Sequence, residues 1–429
     1  MLRVSTWRAV VSLGGLLVLA GVALWPSLAQ APATVVLTGA RVIDGTGRAP
    51  LEPATLLVSN GRIQAVGAPA DVPTPDGAAR VDLSGKTIIP GLINAHAHLN
   101  DGDETLPLYD QLLAQLRLYA EYGVTTIHTL GDDGVESVRV RDEQAGGDTL
   151  DRARLYVSGP NVVAETADEA RQNIDRVADM RVNIIKTRLN AAPGDMTPPV
   201  YRALIDQAHQ RGLRVAAHLI DLDDAKGLVE AGVDVVAHSV RDQDVDAELI
   251  TELTRLDIGY IPTLTRCLSV FLYETTPAFF SDEFFLRGVD TYRADMEEIQ
   301  DPALQQEVRD SEEAQVTKRM FEQAKRNLKL LADGGVTIAM GTDSGTQLGR
   351  WQGYFEHVEL EVMVEAGLTP MQVLVAATQN AARVMNLDEV GTLEPGKWAD
   401  FVVLDADPLA DITNTRQIDS VWVAGRRLD

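Results

Sequence analysis

The stretch Pro90-Gly91-Leu92-Ile93-Asn94-Ala95-His96-Ala97-His98 constrains this chain more than any other. An apolar run, Thr87-Ile88-Ile89, leads into a Pro-Gly break, and a second apolar run ends in two histidines one residue apart. On a strand, residues i and i+2 point to the same side, so His96 and His98 aim two imidazoles at one point. That is the geometry of a chelate, and imidazole suits Zn, Ni, Fe or Cu. A lone HxH pair carries little weight. It gains weight when other strand ends supply further ligands.

From 91 to about 388 the pattern alternates strand and helix. The strand candidates are Leu92–His98, Thr125–Thr129, Arg154–Val157, Ile184–Thr187, Arg214–His218, Val235–His238, Gly259–Thr263 and Thr337–Gly341. Helical stretches separate them. The clearest begins at Thr197-Pro198, carries apolar Val200, Leu204, Ile205 and Ala208, and stops at Gly212. Eight such units in ~250–300 residues predict an α/β fold, a (β/α)8 TIM barrel. Residues 32–90 read as short strands with an Asn60-Gly61 hairpin turn. Residues 389–429 return to strand with Phe401–Leu404 and Ser420–Val423. The two ends are expected to form one small β-sandwich beside the barrel.

Active sites of barrels sit at the C-terminal ends of the strands. Strand one ends there in His96 and His98, strand five in His218 and strand six in His238. Strand four carries Lys186, and strand eight runs into Asp343. Four of the seven histidines thus converge on one mouth. Each residue alone has an ordinary explanation: a carbonyl partner for a histidine, an ion pair for the lysine, a helix cap for the aspartate. Six such coincidences on one face are a poorer account than a metal centre. Lys186 is the unusual member, because a protonated ammonium cannot bind a cation. Burial beside metal ions favours the free amine. That amine can add carbon dioxide, giving a carbamate whose two oxygens bridge two ions.

As a set, PGLINAHAH, Lys186, His218, His238, the Gly341-Thr342-Asp343-Ser344-Gly345 turn and Glu394–Phe401 resemble the amidohydrolase superfamily. The resemblance spans nearly the whole chain after residue 31 and is nearest to the imidazolonepropionase-like and prolidase-like (Xaa-Pro dipeptidase-like) branch. It implies a binuclear centre, with zinc as the expected metal. His96, His98 and Asp343 would hold one ion, and His218 and His238 the other. Lys186, carboxylated by carbon dioxide or bicarbonate, would bridge them. Asp343 would take a proton from the bridging hydroxide and pass it to the leaving group. The implied activity is hydrolysis of an amide-type C–N bond, first of all in a dipeptide or N-acyl amino acid. Lactone, carbamate or ester hydrolysis by the same centre is the alternative, and a catalytically inactive metal-containing binding protein is a third. Two departures bear on substrate. His128-Thr129 stands where prolidase-like members commonly have Arg-Asp, and Thr187-Arg188-Leu189-Asn190 replaces a Gly-rich loop.

Substrate-binding candidates are His128, Arg188, Arg241, Tyr260 and Arg350. For Arg241, pairing with Asp242 or Asp244 is the preferred ordinary role. A helical insertion over about 266–334 follows strand seven and carries Phe271, Tyr273, Phe279, Phe280, Phe284 and Phe285. It is expected to be either a helical lid or substrate wall over the mouth or a dimerisation surface, so a homo-oligomer stays open. The net charge of −25 argues against nucleic acid and anionic membrane surfaces as partners, with solubility as its ordinary meaning, and the expected partner is a small-molecule substrate. The single cysteine, Cys267, rules out an intrachain disulfide and a Cys-rich zinc site. Residues 1–31 read as a signal peptide: Arg3 and Arg8, an apolar run from Ala9 to Trp25, then Ala29-Gln30-Ala31. The expectation is export to the periplasm or beyond, with an uncleaved membrane anchor over 9–25 as the alternative.

Overall fold

The computed structural model describes residues 34–428 apart from 101, 103, 104 and 145–149. The expected signal segment lies outside the described residues. Among those described, no helix is long and apolar enough to cross a membrane.

Five strands precede the barrel region: β1 (Thr34–Val42), β2 (Leu51–Ser59), β3 (Arg62–Gly67), β4 (Ala79–Asp82) and β5 (Thr87–Pro90). The β2–β3 hairpin closes through Asn60 and Gly61, both at positive φ (50° and 75°), as a tight primed turn requires. Three strands end the chain: β13 (Phe401–Leu404), β14 (Ile418–Val423) and β15 (Arg426–Arg427). All eight belong to one mixed sheet, in the order β15-β14-β13-β5-β1-β2-β3, with β4 beside β1. The two chain ends meet where β13 runs antiparallel to β5, Phe401 opposite Pro90 and Leu404 opposite Thr87. Residues from both ends, among them Val35, Leu56, Ile63, Phe401 and Trp422, share one buried cluster.

Between these ends lie β6 (Leu92–Ala97), β7 (Val124–Thr129), β8 (Arg154–Tyr156), β9 (Ile185–Arg188), β10 (Val215–His218), β11 (Val235–Ala237) and β12 (Gly259–Ile261). They form two parallel sheets, β6-β7-β8 and β9-β10-β11-β12. Helices alternate with them: α1 (Leu108–Glu121), α2 (Val135–Glu143), α3 (Ala167–Asp179), α4 (Pro198–Gln210), α5 (Leu222–Glu230) and α6 (Ala247–Arg255). This is the α/β, TIM-barrel-like arrangement. Thr197 does precede α4 in extended conformation with Pro198 at the first turn, but its hydroxyl makes no cap bond. Asp221 and Asp246 do cap α5 and α6, accepting from the amides of Asp224 and Leu249.

The eighth expected strand, Thr337–Gly341, is not a regular strand. Ile338 bridges Tyr260, and Ser344 bridges Ala97. Backbone bonds run from Ala339 N to Tyr260 O (2.9 Å) on one side and from Ala95 N to Met340 O (3.0 Å) on the other. Met340 N turns instead to the carbonyl of Ala376 (2.9 Å), in a π-helical turn over Ala376–Asn380. The segment is thus stapled by a helix as well as by its neighbours. Likewise Val162 N donates to Lys186 O (2.8 Å), linking the segment after β8 to β9. Ile93, Ala95, Ile184, Ala216, Val235, Ala237, Ile261 and Ala339 form one inner cluster. Alternate residues such as Ile185, Val215, Val236 and Tyr260 join the helix-facing core, the period-two division a strand imposes.

After β12 come α7 (Leu264–Phe271), three short 3-10 turns, α8 (Val289–Ile299), α9 (Pro302–Asp310) and α10 (Glu312–Asp333). The insertion turns its aromatics into its own chain. Tyr273, Phe284, Phe285 and Tyr292 are buried with Trp351, Tyr354 and Phe355, the last two in α11 (Tyr354–Glu365).

Candidate metal centre

Local backbone decides where the mouth residues point. β10 ends regularly, so His218 follows Ala216 to the inner side. His238 is different: Val236 faces the helices, and regular alternation would send His238 with it. Its φ of +91° breaks that alternation, and its ring lies 4.5 Å from that of His96, centroid to centroid. Asp343 and Thr263 also have positive φ, 61° and 45°. Such strained, non-glycine positions cluster at functional sites. Gly341 is required by contact, since a Cβ there would lie 2.8 Å from the His96 Cβ.

His96 Nε2 lies 3.1 Å and His98 Nε2 2.9 Å from Asp343 Oδ1. Lys186 Nζ lies 3.3 Å from the same His96 Nε2. Ligands about 2.0–2.1 Å from a tetrahedral zinc stand roughly 3.3 Å from each other, so the spacings of His96 and His98 to Asp343 suit one shared ion. The His238 and His218 rings continue the cluster, 4.4 Å apart and edge to face. His238 Nδ1 bonds Thr263 Oγ1 (2.6 Å), which fixes the ring and leaves Nε2 for a ligand role. Nδ1 of His96 and of His98 are buried with no hydrogen-bond partner.

The electrostatics suit a cation. Burial, helped by Lys186, lowers His96 to about 3 and His218 to about 2, and burial lowers His238 well below the usual range. These imidazoles are neutral at physiological pH, the state that binds metal. Burial would raise the Asp343 carboxyl, but His96, Arg350 and His98 reverse this and hold it well below the ordinary carboxylate range. Burial also lowers Lys186 to about 7, with Arg266 assisting against the opposing pull of Asp343. A free amine is therefore accessible near neutral pH. Four imidazoles, one carboxylate and one deprotonable lysine form a donor set that fits divalent metal.

The other candidates are placed as follows. Arg350 is buried and donates from Nη1 to Asp343 Oδ2 (2.6 Å). It also lines a cavity of about 750 Å³ with Gln111, Tyr292, Asp295, Trp351 and Gln352. Arg188 is exposed at the end of β9. His128 is buried at the end of β7, with Nδ1 on Thr129 O (2.9 Å), Nε2 unpartnered and the Tyr156 ring stacked 6.1 Å away. Tyr260 does not present a free hydroxyl, because its oxygen accepts from Val240 N (2.7 Å). Arg241 does not pair with Asp242 or Asp244. It donates to the carbonyls of Ser239 (2.9 Å) and Leu219 (3.3 Å), while those carboxylates bind Leu222 N and Gln323.

Sequence reasoning missed Arg266, whose Nε lies 3.4 Å from Asp343 Oδ2. It missed Thr263 as the brace of His238, and it missed Asn94, whose Oδ1 accepts from His96 N (2.9 Å). Asn94 sits inside the PGLINAHAH stretch, so its place before the HxH pair was the available signal. Nothing in the local sequence marks Arg266.

Residues 87–262 and 286–428 match the model of the amidohydrolase family, well over half of the chain. The chain belongs to that family. An uncharacterised protein of Mycobacterium tuberculosis is 27% identical over 198 residues, covering 42% of this chain and 51% of that protein. The chain thus spans about half the length of the first curated relatives it matches. The imidazolonepropionase of Mycolicibacterium smegmatis is 24% identical over 387 residues, 86% of this chain and 89% of its own. The structure of a Xaa-Pro dipeptidase with bound methionine superposes with a TM-score of 0.74 at 19% identity, covering 92% of this chain and all of that one, a likeness of fold.

Proposed function

We propose that this chain is a metal-dependent hydrolase of an amide-type C–N bond in a small molecule, with a dipeptide or N-acyl amino acid as first substrate class. The observation that carries the reading is the unbroken cluster His98–Asp343–His96–Lys186 with His238 and His218. His96, His98 and Asp343 would hold one ion and His218 and His238 a second, with carboxylated Lys186 between them. Zinc suits these nitrogen and oxygen ligands. When bound, such ions lower the pKa of water and polarise a carbonyl.

The chain's own residues do the rest. Arg350 keeps Asp343 ionised, able to accept a proton and return it to the leaving nitrogen. Thr263 fixes the orientation of His238. Arg266, partly exposed, and Arg188, exposed, supply cations for a substrate carboxylate. Those cations favour the amino-acid reading over a lactone or a neutral ester. We further propose that the two parallel sheets and the 337–344 segment close one eight-membered ring, and that the protein acts after export.

The test is a panel of dipeptides and N-acyl amino acids, with the matching esters and lactones, given to zinc-loaded protein. Release of a free amine from the amides supports the reading. Turnover of esters or lactones alone would replace it with the alternative, and no turnover of any would favour a binding protein.

A further inference from the structure

Glu356 lies in the first turn of α11 with none of its surface exposed. A buried carboxylate is costly unless its bonds compensate. Here one oxygen makes all of them. Glu356 Oε1 accepts from Asn94 Nδ2 (2.5 Å), Thr342 Oγ1 (2.9 Å) and Ser344 Oγ (2.8 Å), while Oε2 has no partner. Those three donors come from two segments about 250 residues apart in sequence. Each adjoins an expected ligand. Asn94 Oδ1 holds the His96 amide (2.9 Å). Ser344 O accepts from the His98 amide (2.9 Å). Thr342 and Ser344 flank Asp343, whose backbone is in the left-handed region. His218 and His238 stand at the ends of other strands, and the bonds of Glu356 do not reach them.

We infer that Glu356 is a positioning residue that locks β6 to the 337–344 segment, and so sets the affinity of the ion held by His96, His98 and Asp343 but not of the ion held by His218 and His238. This rests on the proposed two-ion centre. The acceptor oxygen matters rather than the charge, because Oε2 binds nothing. Glutamine should therefore replace glutamate, since its carbonyl takes the same three donors. Alanine should not.

The test is zinc titration of metal-free full-length protein against a competing chelator, with thermal unfolding of both forms. Wild type is expected to bind two ions. In Glu356→Ala one of the two should bind about 10–100-fold more weakly, the usual effect of losing a ligand's supporting bond, with the other unchanged. The rise in Tm on adding zinc should shrink accordingly. Glu356→Gln should stay within about threefold of wild type. Thr342→Val, which removes one donor at nearly constant volume, should weaken the same ion by a smaller factor and serves if the alanine variant does not fold. Equal weakening of both ions, or of neither, would overturn the inference. So would a Gln variant as weak as Ala, or a metal-free Tm that falls as far as the metal-loaded one. A wild type that binds no ion would instead overturn the proposed function, and the inference with it.

Discussion

Asp343 divides its two oxygens. Oδ1 faces His96 and His98, while Oδ2 is held by Arg350 and approached by Arg266. One oxygen faces the two imidazoles and the other meets the two guanidinium groups. Asp343→Asn keeps the shape but removes the proposed base. It should leave metal at His218 and His238 and lower turnover at least ~10²-fold, the typical share of general acid–base catalysis. Steady-state rates beside metal content check this, and a rate near wild type would remove the proton role. At this scale the sequence displays what is periodic. His96, His98, Lys186 and His218 follow apolar strand runs, and their side is set by counting. The positive φ that turns His238 inward has no such signature, nor do the contacts of Arg266 with Asp343 or of Glu356 with Asn94, which span 77 and 262 residues.

Among the elements, the strands and the Asn60-Gly61 hairpin were legible because apolar alternation and turn chemistry are local. The segment Thr337–Gly341 looked equally strand-like, yet it is stapled to a π-helical turn, a tertiary choice no local pattern records. The insertion was legible as a long connection but not as a packed unit. Its Phe285 is fully buried, with rings of Tyr354, Tyr292 and Trp351 at 5.0, 5.1 and 5.2 Å. Phe285→Ala should cost about 3–5 kcal/mol in urea unfolding. The loss should not depend on protein concentration, because the contacts are within one chain. A loss under 1 kcal/mol, or one that appears only on dilution, would contradict this packing.

For the whole molecule, several histidines are buried and neutral. His357 joins α11 to Tyr122 O (2.8 Å) and to Thr415 Oγ1 (2.9 Å). Burial lowers it from 6.5 to about 3. The unfolded chain takes up its proton below pH 6.5 and the folded one does not, so stability falls as pH drops from 6.5 toward 3. The slope for such a group is about 1.4 kcal/mol per pH unit. Between pH 6.5 and 4.5 wild type should therefore lose Tm faster than His357→Gln; parallel curves would contradict a neutral His357. The account as a whole depends on the centre holding two ions with Lys186 between them. The direct measurement is metal content per chain after growth with zinc and bicarbonate, on wild type and on Lys186→Ala. Two ions falling to about one, with most activity lost, is the predicted result. One ion in both proteins would contradict the binuclear centre and leave Lys186 a structural or substrate-binding residue.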